Sequence, residues 1–318
     1  MKIDAVIFGA SGYGGGELLY WLSRHPNVAS IRGTSRSYAG KEFAAAHPNL
    51  RGVVEGKFEH EINEVPQHGG TVVFSALPHG ELAKTYSQLQ LGDATLIDLS
   101  TDFRAATEFV YGLPEWNREA IRGAKRIASA GCFATALQLG LLPLRGLDVG
   151  FIAATAVTGS SGSGASAAET THHPTRANDF RAYKILSHQH LAEVNAAMRA
   201  CDIKGNLSFV PQSGPFVRGI FATLQFQLPP GVDLHERVCQ VYRHEAFVRL
   251  VEGSPRVAAV AGSNFADIAV ATDERSAAIM VAIDNLGKGM AGQAVQSMNI
   301  ALGLPETTGL WASGRFPA

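Results

Sequence analysis

A short apolar run, Ile3–Phe8, ends directly in Gly9-Ala10-Ser11-Gly12-Tyr13-Gly14-Gly15. Glycines recurring between a strand-like run and a helical one leave few folds open. The turn is too tight for side chains, and the helix after it aims unpaired N–H groups and a partial positive charge back at the turn. That is the chemistry of a pyrophosphate cradle, spaced here as G-x-x-G-x-x-G where many such loops read G-x-G-x-x-G. The pattern continues to about residue 130. Glu17–Arg24 reads as a helix ended by His25-Pro26-Asn27, Val28–Thr34 as a second strand, and Thr71–Ala76 and Thr95–Leu99 as further strands. This alternation predicts a doubly wound, Rossmann-type parallel sheet with crossover helices. Ligands of such sheets bind beyond the C-terminal strand ends. Leu77-Pro78-His79-Gly80 and Ser100-Thr101-Asp102-Phe103-Arg104 stand at two of those ends. After the second strand no Asp or Glu is present to take a ribose hydroxyl; Thr34, Ser35 and Arg36 suit a 2′-phosphate, which favours NADP over NAD.

Beyond residue 130 the texture changes. Ala134–Leu142 reads as an apolar helix, Phe151–Thr158, Leu207–Val210 and Gly219–Leu228 as strands, and Leu234–Val248 as a helix. Asp267–Thr272 and Ala277–Asp284 predict a hairpin around Asp273-Glu274-Arg275, and Gly289–Leu302 a closing helix. The fold class expected is therefore α/β, with a second, mixed α+β domain. The 318 residues, 46% of them hydrophobic, suffice for two cores. With 27 basic against 28 acidic residues, the net charge of −1 points to neither nucleic acid nor an anionic membrane as partner. There is no run of 18 apolar residues, and the N-terminus enters a strand without the features of a signal peptide. The three cysteines, Cys132, Cys201 and Cys239, are too scattered for a disulfide framework. A cytoplasmic protein is the expectation.

Gly131-Cys132-Phe133-Ala134-Thr135 places a cysteine at the head of the apolar helix. Helix-terminal N–H groups favour thiolate over thiol and can hold the oxygen of a tetrahedral intermediate. Four histidines, His172, His173, His188 and His190, fall within 19 positions, and Glu193 follows His190 by three. If a helix begins near His190, Glu193 lies one turn on, where a carboxylate can orient an imidazole. The spacing does not suit zinc, and no metal is expected. Gly159–Ala168, rich in Gly, Ser and Ala, reads either as a flexible linker or as a phosphate-contacting loop. Nucleotide, thiolate and histidine converge on one reaction class: an acyl group passes to the thiolate, and the thioester is reduced to an aldehyde by hydride.

Taken together, the motifs resemble the N-acetyl-gamma-glutamyl-phosphate reductase family, within the aspartate-semialdehyde-dehydrogenase-like enzymes. They run from Gly9–Gly15 through His47-Pro48-Asn49-Leu50, Leu77–Gly80, Asp98–Arg104, Tyr111–Glu115, Gly131–Thr135, Gly159–Gly164 and His188–Glu193 to Pro215–Ile220 and Asp284–Gly289. The resemblance implies NADPH-dependent reduction of a small-molecule acyl phosphate. It makes Cys132 the nucleophile, His188 or His190 the acid/base, and Glu193 its support. Cofactor contacts fall to Gly9, Ser11, Gly12, Tyr13, Gly14, Gly15, Ser35, Arg36, Pro78, Ser160, Gly162, Gly164, Asn285 and Lys288, and substrate contacts to Ser100, Arg104 and Arg218. Residues 1–130 with about 285–318 would form the NADP-binding domain, and 131–284 the catalytic, substrate and oligomerisation domain of a homodimer or homotetramer. Arginine-pathway members commonly carry Asn-Pro before Gly-Cys, where this chain has Ser129-Ala130. That resembles the lysine-pathway branch acting on aminoadipyl phosphate held by an amino-carrier protein. Substrates one methylene apart are separated by only about 1–3 kcal/mol in a simple pocket, so both stand as alternatives here.

Overall fold

The computed structural model describes residues 1–62, 64–314 and 316. The chain divides into two compact units: Met1–Gly131 with Met290–Trp311, and Cys132–Gly289 with the described residues beyond Trp311. In chain order the strands are β1 (Ile3–Phe8), β2 (Val28–Thr34), β3 (Phe58–Glu59), β4 (Thr71–Ser75), β5 (Thr95–Asp98), β6 (Val110–Gly112) and β7 (Arg126–Ser129) in the first unit. The second has β8 (Asp148–Thr158), β9 (Arg181–Ala182), β10 (Lys204–Ser213), β11 (Ile220–Gln227), β12 (Val248–Leu250), β13 (Ala266–Thr272) and β14 (Ser276–Ile283). The helices are α1 (Tyr13–Ser23), α2 (Glu81–Thr85), α3 (Pro114–Ile121), α4 (Cys132–Leu141), α5 (His173–Arg176), α6 (Leu191–Ala200), α7 (Leu234–Tyr242), α8 (Val257–Val260) and α9 (Gly292–Ala301).

The first sheet runs β3-β2-β1-β4-β5-β7-β6, and every pairing in it is parallel. Its order reverses between β1 and β4, the switch point at which doubly wound sheets bind ligands. β1 and β4 are apolar and almost wholly buried, as a parallel strand covered on both faces must be. α1 starts at Tyr13, earlier than the expected Glu17, because Gly14–Gly16 belong to the helix. A Cβ on Gly15 would lie 2.5 Å from the Ala10 Cα, so the absent side chain lets the helix close onto the turn. Gly9 has φ +76°, and a Cβ there would sit 2.7 Å from the Ala76 carbonyl oxygen.

The second sheet is mixed, in the order β12-β13-β14-β11-β8-β10-β9. β8 and β10 are parallel; β11 runs antiparallel to both β8 and β14. β8 alternates along its length: Ile152, Ala154 and Ala156 are buried, whereas Phe151, Ala153 and Thr155 are exposed. α4 packs on the buried side against β11 and β14, close enough that a Cβ on Gly140 would lie 2.6 Å from Leu224. Helices therefore cover one face of this sheet and leave the other open.

The hairpin is present, its turn held by the Arg275 and Ser276 N–H groups donating to Asp273 Oδ1. The helix expected over Leu234–Val248 stops at Tyr242, since Val248 pairs with Ala266 as a strand. The closing helix is present and begins earlier, with a π-helical stretch over Gly287–Ala291 that runs directly into α9. β3, β6 and α3 were not signalled by periodicity, being too short or too polar to show one. No helix among the described residues is long and apolar enough to cross a membrane.

Candidate active site

In the first unit, the strand ends converge on the glycine turn. The Gly9 N–H donates to Thr34 Oγ1 (3.1 Å) and the Ala10 N–H to the Thr34 carbonyl (2.8 Å), tying the turn to the end of β2. Ser35 Oγ donates to Ser11 Oγ at 2.8 Å, and exposed Arg36 follows directly. Gly12 precedes α1 with no side-chain cap on the helix, so no side chain is hydrogen-bonded to its first-turn N–H groups in the manner of a cap. The cradle that Gly9 and Gly15 keep free of side chains fits a dinucleotide's pyrophosphate. Pro78 lies in the exposed loop before α2, and Asp102 caps that helix by accepting from the Gly80 (2.6 Å) and Ala83 (3.0 Å) N–H groups.

Ser100 is 1% exposed and acts as a relay: its Oγ donates to Asp98 (2.7 Å) and accepts from the Asp102 N–H (3.0 Å). Burial pushes the Asp98 carboxyl above the usual range, against the Ser100 hydrogen bonds that lower it. Ser100, the expected substrate contact, is thus enclosed as a link between Asp98 and Asp102. Arg104 donates to the carbonyls of Ser129 (2.9 Å) and Leu99 (3.3 Å), bracing the ends of β7 and β5.

In the second unit, Cys132 is the first residue of α4 and is half-buried, while Cys201 is buried and Cys239 exposed. The rest of α4 is buried, which fixes the direction of its N-terminus. Phe133 stands edge-on to His188 (centroids 5.2 Å apart), to His190 (6.3 Å) and to Phe209 (5.4 Å). The two histidine rings meet at 4.7 Å. α6 starts right after His190, as the sequence suggested, so Glu193 Oε1 lies 4.0 Å from His190 Nε2. Both side chains are 7% exposed. Gln138 on α4 donates to the Glu193 carbonyl at 3.3 Å, joining α4 to α6. His188 Nδ1 accepts the His190 N–H (3.2 Å), and burial, aided by Lys184, pushes its pKa down to about 4. His188 is therefore neutral near pH 7, with its proton on Nε2. Burial and the neighbouring Cys132 push the Tyr183 phenol well above its ordinary value.

Asp284 organises the turn beside the cysteine. The fully buried carboxylate accepts from the N–H groups of Leu286 (2.8 Å), Gly287 (3.0 Å) and Gly262, and from Arg218 Nε (2.9 Å). Gly289 is thereby seated so that a Cβ on it would lie 2.9 Å from the Cys132 Cβ. Sequence reading took Gly289 only as the end of the Asp284–Gly289 motif and did not single out Gln138, which lies in an otherwise apolar run. Five of the expected cofactor contacts are engaged by the protein itself. Asn285 is buried and binds the Gly219 N–H (2.7 Å) and Ser161 Oγ (3.0 Å). Lys288 is 0% exposed, its Nζ 5.9 Å from the Phe247 ring centre, so its ammonium lies in the core. The N–H groups of Ser160, Gly162 and Gly164 all donate within the protein, to Phe216, Gly159 and Ser161, which leaves no backbone phosphate cradle there.

Family models match both units: the semialdehyde dehydrogenase NAD binding domain over residues 4–124, and the semialdehyde dehydrogenase dimerisation domain over residues 132–285. N-acetyl-gamma-glutamyl-phosphate reductase from Methanosarcina acetivorans is 40% identical over 340 residues, with 100% of each chain covered. The chain belongs to the N-acetyl-gamma-glutamyl-phosphate reductase family. LysW-L-2-aminoadipate 6-phosphate reductase from Deinococcus radiodurans is 37% identical, with 99% of each chain covered. Among solved structures, aspartate semialdehyde dehydrogenase II from Vibrio cholerae in complex with ASA has a TM-score of 0.73 at 18% identity, covering 94% of this chain and 98% of its own. Aspartate semialdehyde dehydrogenase with NADP from Candida albicans gives 0.71 at 16%, with the same coverage. The fold is shared with these enzymes. As a member of the family, the chain is an oxidoreductase that binds a nicotinamide dinucleotide.

Because the folded pKa of His188 lies below its ordinary 6.5, the unfolded chain takes up the proton first as the pH falls. Stability is thus lost from about pH 6.5 down towards about pH 4, a loss to which buried His25 and His47 add in the same direction. His188→Asn keeps the acceptor for the His190 N–H but does not titrate. Its melting temperature should fall less between pH 7 and pH 5 than that of the wild type; equal losses would mean that His188 titrates normally.

Proposed function

We propose that the chain reduces N-acetyl-gamma-glutamyl phosphate to N-acetylglutamate semialdehyde and phosphate, using NADPH, in arginine biosynthesis. The observation that carries this reading is Cys132 at the head of buried α4, in the same unit as a His190–Glu193 pair on α6. A cytoplasmic setting supplies both NADPH and the phosphorylated amino acid.

His190 is the acid/base of this proposal, because it faces a carboxylate whereas His188 stays neutral and serves as an acceptor. His190 takes the Cys132 proton. The sulfur attacks the acyl carbon, the carbon–oxygen bond to phosphate breaks, and phosphate leaves with the electron pair. Glu193 holds the resulting imidazolium. The N–H groups at the head of α4 stabilise the oxyanion at each tetrahedral stage. A reduced nicotinamide, when bound, supplies hydride. His190 then protonates the thiohemiacetal oxygen and recovers that proton as the aldehyde leaves and Cys132 returns as thiolate. The Arg218 guanidinium, fixed through Nε by Asp284, is the group to bind the substrate carboxylate. Gly9, Ser11, Gly12, Tyr13, Gly14, Gly15 and Pro78 would hold the dinucleotide, with Ser35 and Arg36 at its 2′-phosphate.

A second reading, aminoadipyl phosphate on an amino-carrier protein, draws on the residues before the cysteine. Ala130 donates its N–H to Gln293 Oε1 (3.1 Å), which also accepts from Ser129 Oγ (3.2 Å); a proline at 130 has no such N–H. The open sheet face fits a second copy of the chain: Ala153, Gln225, Ala278 and Ala271 form a row of small or uncharged residues across β8, β11, β14 and β13.

The reverse reaction, phosphate-dependent NADPH formation, tests the central reading. Activity should appear with N-acetylglutamate semialdehyde and vanish in Cys132→Ser with NADPH affinity nearly unchanged. Activity only on the aminoadipate homologue, or only on its carrier-linked form, would move the chain to lysine synthesis, and none on either would sink the assignment. Arg36→Ala should weaken NADPH binding about tenfold, the size of one lost charge-assisted contact, and leave NADH binding alone. Ala153→Arg should convert a dimer to monomers on a sizing column with light scattering; an unchanged mass would move the interface elsewhere.

A further inference from the structure

His47 opens the His47-Pro48-Asn49-Leu50 motif, to which the reaction assigns no part. The structure sets it in the first unit, 7% exposed, beneath the glycine turn. Its Nε2 lies 2.8 Å from the carbonyl oxygen of Ala10, the residue between Gly9 and Ser11. The ring fills the space beside α1 that a side chain on Gly16 would need, since a Cβ there would lie 2.6 Å from the ring. The Phe58 ring centre lies 6.2 Å from it. The His47 N–H is bound to the Phe43 carbonyl, so the backbone that presents the ring is itself anchored.

The carbonyl of Ala10 belongs to the peptide that joins it to Ser11. Holding that oxygen fixes the plane of the peptide, and so the direction of the Ser11 N–H at the mouth of the cradle. Thr34 holds the Gly9 and Ala10 N–H groups, but the flexible Gly9 and Gly12 leave the Ala10–Ser11 peptide plane to be set from its carbonyl side. From this we infer that His47 is a positioning residue for the dinucleotide: its Nε2–H donates to the Ala10 carbonyl and locks the glycine turn in its binding form before the cofactor arrives. Glu17, the charged neighbour on α1, favours the protonated ring while burial opposes it. Either form carries the Nε2 proton, so the lock holds in both. This inference rests on the dinucleotide reading of the turn.

His47→Gln places an amide N–H where Nε2 stands, whereas His47→Phe keeps the ring and removes the donor. Binding is read by quenching of protein fluorescence with NADPH, and turn rigidity in the cofactor-free protein by hydrogen–deuterium exchange over residues 9–16. His47→Phe should bind NADPH about tenfold more weakly, the effect of one buried hydrogen bond. Exchange in the turn should be faster, and KM for NADPH should rise with kcat little changed. His47→Gln should recover most of the affinity. Gly16→Ala, which presses on the ring from α1, should weaken binding as well and serves if His47→Phe does not fold. Wild-type affinity and exchange in His47→Phe or in Gly16→Ala would overturn the inference. So would a His47→Gln variant as weak as His47→Phe, since ring packing alone would then hold the turn. Wild-type protein that binds no NADPH would instead refute the dinucleotide reading itself.

Discussion

The carboxylate of Asp284 is fully buried, and a buried charge is stable only if the protein surrounds it with donors. Four donors from three separate segments meet it: Arg218, Gly262 and the turn at Leu286–Gly287. The consequence is geometric. The chain after β14 enters the closing helix through a π-helical stretch, and Gly289 comes to rest against Cys132. One electrostatic requirement thus sets the wall beside the thiol and the orientation of Arg218 together.

Each unit, taken by itself, solves the same problem by the same means. Where backbone must come close to a reactive or charged group, the side chain is omitted: Gly9 and Gly15 at the turn of the first unit, Gly289 at the cysteine of the second. A missing side chain leaves freedom behind it, and a buried polar group removes that freedom, His47 in the first case and Asp284 in the second. Glycine and its anchor are separate in sequence but act as one device.

The surroundings of the histidine pair separate two residues of one type. Phe133, Tyr183 and Phe209 pack around His188, remove it from water and keep it neutral. His190, only two positions on, has Glu193 within one helical turn. Desolvation acts on the first and a carboxylate on the second, so the rings differ in role although they touch.

The alternation of strands and helices, the glycine turn, the hairpin at Asp273 and the cysteine at a helix head were legible in the sequence, because each depends on local conformational preference or on spacing within one element. The start of α6 at His190, which puts Glu193 beside that ring, was legible for the same reason. Contacts between segments far apart in the chain were not. No spacing rule shows that Asn285 and Lys288 turn into the core, that Ser100 is enclosed between Asp98 and Asp102, or that the N–H groups of Ser160, Gly162 and Gly164 are already engaged. Nor does the chain before folding show that His188 is desolvated and held neutral. Those outcomes were decided by burial: a polar group drawn into the interior takes the partner that tertiary packing places there, and the sequence records only that the group exists.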